Sequence, residues 1–303
     1  MTTAAGHRAA LLRAMPVVFV LIWSTGFVVA RLGMPHAPPM SFLALRYALS
    51  LLAFAAWIAW ARASWPRNGM QWVHLSVTGV LMHAGYLGGV WAAVKGGLGA
   101  GMAALIVGLQ PMITALWVSA RQGHGVGHRI TPRQWLGLCL GLLGLLLVVG
   151  HKLRAGEATA SNVSLAVLAL ASITIGTLYQ KRWLKACDVR TANSVQLLAA
   201  LVVTLPLALL ESEPVHWQPD MVTALAWSVL VLTLGGSSLL YLLIQQGAAT
   251  SVASLMYLVP PCTAVLAWLI FGESLGLAVL AGLVLTATGV ALVVRQGSRP
   301  KRI

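Results

Sequence analysis

The stretch ASLMYLVPPCTAVLAWLIFGESLG, Ala253 to Gly276, is long and apolar enough to cross a bilayer, yet it carries Pro260 and Pro261 near its middle. Proline inside a helix removes a backbone donor and collides with the preceding turn, at a cost of about 3 kcal/mol. Lipid supplies no water to offset that loss, so broken backbone survives there only when surrounded by protein or facing a wet cavity. The break recurs elsewhere in the chain. Shifting the sequence by 150 residues lays AALIVGLQPMITALW on ASLMYLVPPCTAVLA, so that Ala103, Leu105, Pro111 and Leu116 meet Ala253, Leu255, Pro261 and Leu266.

The same offset sets Gly26 on Gly176, Gly97 on Gly247 and Trp91 on Tyr241. Further along it becomes 145, where Gly137 and Gly144 meet Gly282 and Gly289, the loop RQGHGVGHRITPR supplying the difference. Of 303 residues 59% are hydrophobic and 9% charged, against roughly 25% charged in a soluble domain. Lipid is therefore the solvent. Apolar segments near the spanning length of about 20 residues fall at 14–33, 40–61, 71–92, 98–120, 134–151, 162–181, 191–210, 221–244, 249–271 and 275–295.

The expected fold class is an all-α membrane protein: ten transmembrane helices as two inverted five-helix repeats, 1–155 and 156–303, around a central cavity. An odd number of helices per repeat makes the second copy enter the bilayer from the opposite side. Secondary transporters built this way bring interrupted helices to a midplane site. On that reading Pro111, Pro260 and Pro261 mark bends that face the cavity.

A net charge of +14 would suit nucleic acid if it formed a stripe, but its distribution excludes that partner. Of the 20 basic residues, Arg31, Lys95, Lys152 and Arg154 lie in one set of loops, Arg46 lies within the second segment, and the other fifteen lie in the opposite loops and termini. This bias places both termini in the cytoplasm. Cys139, Cys187 and Cys262 stand apart, without the paired spacing of a disulfide framework or zinc site. His124 and His128 are four apart but interleaved by glycines in a loop, so they share no helical face for metal binding. No cofactor and no metal are expected. The first apolar stretch is read as a helix and not a signal peptide, since it is long and lacks a clean cleavage site.

His83 and Tyr86 in LMHAGYLGGVW are three apart and share a helical face, with Trp91 about a turn and a half further on. An ionisable group at mid-membrane depth points to function, and aromatic neighbours suit a flat or amphiphilic solute. Matching helices add Trp23 and Thr25, Gln110 before Pro111, Tyr179, the Tyr241 and Gln245 pair at four-residue spacing, and Tyr257 before Pro260. Trp60, Trp65, Trp72, Trp217 and Trp227 read as interfacial anchors. Arg46 lies about 9 Å into its helix. It is expected to snorkel to the outer surface, then to bind carbonyls at a helix break, then to hold a substrate carboxylate, in that order. Glu273 is expected to cap or pair at the start of the tenth helix.

Taken together these residues resemble a known family. The second half, through Ala248, Ala249, Ser251, Pro261, the Gly272-Glu273 pair and the Gly282 and Gly289 spacing, resembles the EamA domain of the drug/metabolite transporter superfamily. FLALRYALSLLAF is similar to the arginine-bearing second helix of that domain. The resemblance covers nearly the whole chain as two domains. It implies a ten-helix exporter of small metabolites, often amino acids, in a bacterial inner membrane. The first half departs from the pattern by carrying RQGHGVGHR where the glycine-glutamate pair would stand.

No acidic residue lies inside any segment; Glu157, Glu211, Glu213, Asp188, Asp220 and Glu273 all fall in loops or at ends. Proton relays use intramembrane carboxylates or histidines, which leaves His83, whose imidazole titrates near neutral pH when unperturbed. The expected activity is export by alternating access, as a facilitator or a single-proton antiporter, with aromatic amino acids favoured. The expected partners are a small-molecule substrate, the lipid bilayer and, through His83, protons, in a monomer or weak homodimer. Two other classes are weighed beside it. A channel calls for charge rings or an oligomeric filter, and an intramembrane enzyme acting on a lipid or peptide calls for a paired acid and base or a metal cluster.

Overall fold

Runs of Leu, Ala and Val punctuated by Gly and Pro favour helices that start and stop at defined residues. In the computed structural model, which describes residues 2–121, 131–154, 158–239 and 256–294, all regular structure is helical. The described side chains exclude those of residues 2–14, 16, 115, 118–121, 152–154, 257, 293 and 294. The helices are α1 (Thr2–Gly33), α2 (Pro39–Ala61), α3 (Gly69–Lys95), α4 (Ala100–Val107 and Gln110–Arg121) and α5 (Pro132–Arg154). They continue as α6 (Ala160–Trp183), α7 (Val189–Leu209), α8 (Pro219–Leu239), α9 (Met256–Leu258 and Val259–Phe271) and α10 (Leu277–Val294). Among the described residues, six helices are long and apolar enough to cross a membrane: α2, α3, α5, α6, α7 and α8. Shorter apolar runs occupy α1, α4, α9 and α10. The chain is a multi-pass membrane protein.

The ends follow their residues. Asn68 caps α3 by accepting from the Met70 N–H at 2.9 Å, and Thr159 and Asn162 form a reciprocal capping box at α6. Gly272 closes α9 at φ 66°, a left-handed turn that favours glycine. Asp188 accepts from the Arg190 N–H at 2.9 Å at the start of α7 and pairs with the Arg190 guanidinium.

The interruptions do not fall where proline alone would put them. In α4 the chain breaks at Gly108 and Leu109, and Pro111 sits in the first turn of the following piece. In α9 a short 3-10 turn precedes Val259, and Pro260 and Pro261 again sit in a first turn. Proline is well suited to that position because the first turn's N–H groups have no helical acceptor. The two breaks meet: a Cβ built on Gly108 would stand 2.6 Å from Pro260 Cγ. Two further irregularities had no signal in the apolar pattern. Val80–Gly85 in α3 and Ser228–Gly236 in α8 are π-helical, with bonds reaching five residues back. The 150-residue offset carries one onto the other.

Packing runs between the repeats. α5 lies chiefly on α10, α2 on α7, and α3 on α6 and α7. Glycines set the closest approach: a Cβ on Gly144 would stand 2.5 Å from the Gly282 carbonyl oxygen, and one on Gly289 would stand 2.4 Å from that of Gly137. Since the offset of 145 pairs Gly137 with Gly282 and Gly144 with Gly289, each contact is the image of the other. The register also makes α5 and α10 antiparallel.

At the end of the bundle holding the α1–α2 and α3–α4 turns, carboxylates from the second half cap helices of the first. Glu211 accepts from the Met40 and Ser41 N–H groups at 2.9 and 2.7 Å. Glu273 accepts from the Ala100 N–H at 2.9 Å and pairs with Arg31 at 3.6 Å. It thus serves a helix N-terminus, but that of α4 and not, as expected, the neighbouring α10. A capping carboxylate goes to the nearest unpaired N–H in space, which need not be nearest in sequence.

Two outcomes test this packing. Gly289→Val adds side-chain bulk where the backbone of Gly137 already stands, and is expected to cost at least about 1–3 kcal/mol, read as a lowered unfolding midpoint in detergent. The Arg190 side chain holds the Asp188 carboxyl below the usual carboxylate range, with the backbone bond adding to the effect. A carboxyl depressed on folding contributes stability above its unfolded pKa and loses it as pH falls through the folded value. Asp188→Asn should therefore lower stability at neutral pH and flatten its decline below about pH 4.

Candidate functional site

The glycines around the π turn of α3 bring other helices close to it. Gly79 admits the backbone of Gln196 on α7, and Gly85 admits Ser172 and Gly176 admits Met82 where α3 crosses α6. At the end of the π turn the His83 carbonyl oxygen accepts from the Tyr47 hydroxyl at 2.9 Å as well as from the Tyr86 N–H. In α8 the Thr233 hydroxyl donates to the Ser228 carbonyl five residues back, at 2.8 Å. Arg46, the neighbour of Tyr47 on α2, donates to the same Thr233 oxygen from Nε at 3.2 Å and Nη2 at 3.1 Å. Adjacent residues of one helix thus tie both π turns.

Between these elements lies a cavity whose free space, measured out through its open mouth, is about 680 Å³. Its walls are Trp23, Gly26 and Phe27 of α1, Arg46 of α2, Met82, His83, Tyr86, Leu87, Val90 and Trp91 of α3, Ile173 of α6, and Leu232, Thr233 and Ser237 of α8. The 150-residue offset pairs Trp23 with Ile173, Met82 with Leu232, His83 with Thr233 and Leu87 with Ser237, so the cavity straddles the repeat relation. Arg46 maps onto Gln196, whose side chain lies close enough to His83 to act on it. The couples Arg46–Thr233 and Gln196–His83 are images of each other. One holds a permanent charge and the other does not.

The cavity gathers Trp23, His83, Tyr86, Trp91 and Arg46 from the sequence expectation. Trp91 is fixed as a wall by stacking on Phe42, with ring centroids 4.3 Å apart. Arg46 is only 7% exposed and does not snorkel, because Thr233 meets it inside the bundle. Among the described residues no carboxylate pairs with it. The remaining candidates lie elsewhere. The Thr25 hydroxyl donates to the Ile22 carbonyl at 2.6 Å and accepts from Trp227 Nε1 at 2.9 Å. Gln110 donates to the Thr177 hydroxyl at 3.1 Å, tying α4 to α6. The Tyr179 hydroxyl lies 2.7 Å from His74 Nδ1, beside the stacked His74 and Trp183 rings. None of Pro111, Pro260 and Pro261 borders the cavity; the α4 break at Gly108 packs instead on Pro260 of α9. Tyr241, Gln245, His124 and His128 lie outside the described residues, as does the side chain of Tyr257.

Sequence reasoning missed Tyr47, Gln196, Thr233 and Ser237. Applying the repeat offset to Arg46 and His83 would have returned Gln196 and Thr233. Among the described residues no group of three His, Cys, Asp or Glu side chains could hold a metal. Chemically the cavity offers one fixed cation, one imidazole, hydroxyls from Tyr86, Thr233 and Ser237, and aromatic walls. That set is chemically suited to an anion next to a flat apolar group.

The EamA-like transporter family matches residues 13–150 and 160–295. Over 286 residues the chain is 26% identical to a Salmonella typhimurium protein named "Probable amino-acid metabolite efflux pump", covering 91% of this chain and 92% of the other. It is 25% identical over 281 residues to an "Uncharacterized transporter" of Archaeoglobus fulgidus, covering 90% and 93%, and 27% identical over 300 residues to YvbV of Bacillus subtilis, covering 94% and 91%. A solved crystal structure shares the fold with TM-score 0.64 at 17% identity, over 96% of this chain and 99% of the other.

The cavity's extent is open to chemical mapping. With Cys139, Cys187 and Cys262 replaced by serine, Ser237→Cys should react with a small water-soluble thiol reagent. Cysteine placed at Gln110, away from the cavity, should react at least tenfold more slowly. Equal rates would count against these walls.

Proposed function

The chain belongs to the EamA-like transporter family, and from that premise we propose that it exports aromatic amino acids by alternating access at the cavity between α1, α2, α3 and α8. The observation that carries this reading is the buried Arg46 guanidinium, without a carboxylate among the described residues and bordering an aromatic-walled cavity. An unpaired buried cation is costly. A zwitterion whose carboxylate reaches Arg46 and whose ring lies among Trp23, Tyr86 and Trp91 removes that cost and is held at both ends. The Salmonella typhimurium relative's printed name supports amino-acid metabolites as the cargo class.

In this reading ten helices cross the membrane as two repeats, 1–155 and 156–303, with both termini in the cytoplasm of a bacterial cell and the bundle in its inner membrane. The antiparallel α5–α10 contact supports inversion: repeats related by an axis along the membrane normal would set equivalent helices parallel, and only an axis in the membrane plane makes them antiparallel. The unit is a monomer or weak homodimer. His83 borders the same cavity and is the group through which a proton would be exchanged, if export is coupled and not facilitated. Membership in a transporter family, with relatives named as transporters, sets enzymatic activity aside.

Counterflow in proteoliposomes tests the reading. Vesicles loaded with unlabelled tryptophan or phenylalanine should show a transient overshoot of trace label, and Arg46→Gln should abolish it or raise the half-saturating concentration at least tenfold. Linear, non-saturating flux would mean a channel, and an overshoot with threonine or a nucleoside alone would move the substrate class. His83→Ala should remove any dependence of flux on a pH gradient. Gradient-driven flux that survives this substitution would rule out the proton role.

A further inference from the structure

Resting on the reading that Arg46 receives a carboxylate, we propose that Thr233 is a placeholder: it holds the guanidinium until a solute arrives and yields it to that solute, which unties α8 from α2. The geometry points to this because Nε and Nη2 form the edge with which arginine grips a carboxylate through two parallel bonds. Both N–H groups of that edge converge on the single Thr233 oxygen, at 3.2 and 3.1 Å. A hydroxyl offers one neutral oxygen where a carboxylate offers two charged ones, and charge-assisted pairs are roughly twice as strong. Arg46 and Thr233 are 7% and 3% exposed, so bulk water does not replace the hydroxyl.

The exchange has a mechanical side. The Thr233 proton points to the Ser228 carbonyl across the π turn, so the oxygen closes that turn and accepts from Arg46 at once. A carboxylate on Arg46 ends the second role and leaves the first. Tyr47, the next residue of α2, keeps its bond to the His83 carbonyl. α2 therefore has a fixed tie to α3 and a releasable tie to α8, and only the releasable one answers to the solute. The image couple, Gln196 with His83, has no permanent charge for a carboxylate to seek. Release is confined to one of the two image couples, and Thr233 is a positioning residue that acts through Arg46.

The test measures binding to the purified full-length protein in micelles, with tryptophan and with tryptamine, which lacks the carboxylate. Thr233→Val removes the competing oxygen and should tighten tryptophan binding roughly tenfold, the weight of one hydrogen bond to a charged group. Tryptamine binding should not change, and Thr233→Ser should behave as wild type. In an Arg46→Gln background Thr233→Val should have no further effect. A gain in affinity on losing a bond is not what a merely structural residue gives. Where valine prevents folding, Thr233→Ala makes the same removal. If Thr233→Val weakens binding, shifts both probes alike or acts equally without Arg46, the placeholder role is wrong while the carboxylate reading stands. Wild-type protein that binds tryptophan no better than tryptamine, or binds neither, overturns the carboxylate reading and the placeholder with it.

Discussion

A peptide group in hydrocarbon has no water to turn to, and the rest of this structure follows from where the chain departs from the α-helix despite that. The departures are few among the described residues, and each is met by protein. In the π turn of α3 the His83 carbonyl accepts from Tyr47 as well as from the Tyr86 N–H, that of α8 closes through Thr233, and the α4 break is packed against the first turn of α9. The π turns lie at the cavity wall. The proline-marked breaks lie against each other. Backbone irregularity is thus sorted: the π turns go to the cavity wall, and the breaks that only start a helix go to the packing.

Much of this was legible in the sequence. Apolar run lengths place most of the described helix ends to within a few residues, though α1 begins at Thr2, twelve residues before the apolar run at 14, and the glycines at Gly137, Gly144, Gly282 and Gly289 announce the α5–α10 contact through their spacing. His83 and Tyr86 announce the cavity by being polar at mid-depth. What was not legible has physical causes. Proline disfavours helix interiors and suits first turns, so Pro111 and Pro260 indicate that the helix is interrupted without saying which residue gives way. A π turn has the composition of the helix around it. The fates of Arg46 and Glu273 depended on partners in the other repeat, Thr233 for one and the α4 N-terminus for the other, and no local rule brings those residues near.

The duplicated origin of the cavity is visible in its walls, and so is its divergence. His83 stands where the other repeat has Thr233, Arg46 where it has Gln196, and Trp23 where it has Ile173. Charge, imidazole and indole all belong to the first repeat. The second contributes hydroxyls and aliphatic surface. The cavity is therefore symmetric in backbone and polar in chemistry, with its charged and aromatic groups on one side of the repeat relation.

The tie between Arg46 and Thr233 also governs how the molecule is made. Its partners are 187 positions apart, and at about 5–20 residues per second of synthesis roughly 10–40 s pass between them. Through that interval α2 has entered the membrane with a guanidinium whose acceptor does not yet exist. A charge of that kind is not left in lipid; it waits at the wet interface or inside the insertion machinery, and α2 settles only when α8 arrives. The faces of α2, α3 and α5 wait in the same way for α6, α7 and α10. Assembly is therefore late and collective, and the first repeat has no finished structure to pause in while the second is still on the ribosome.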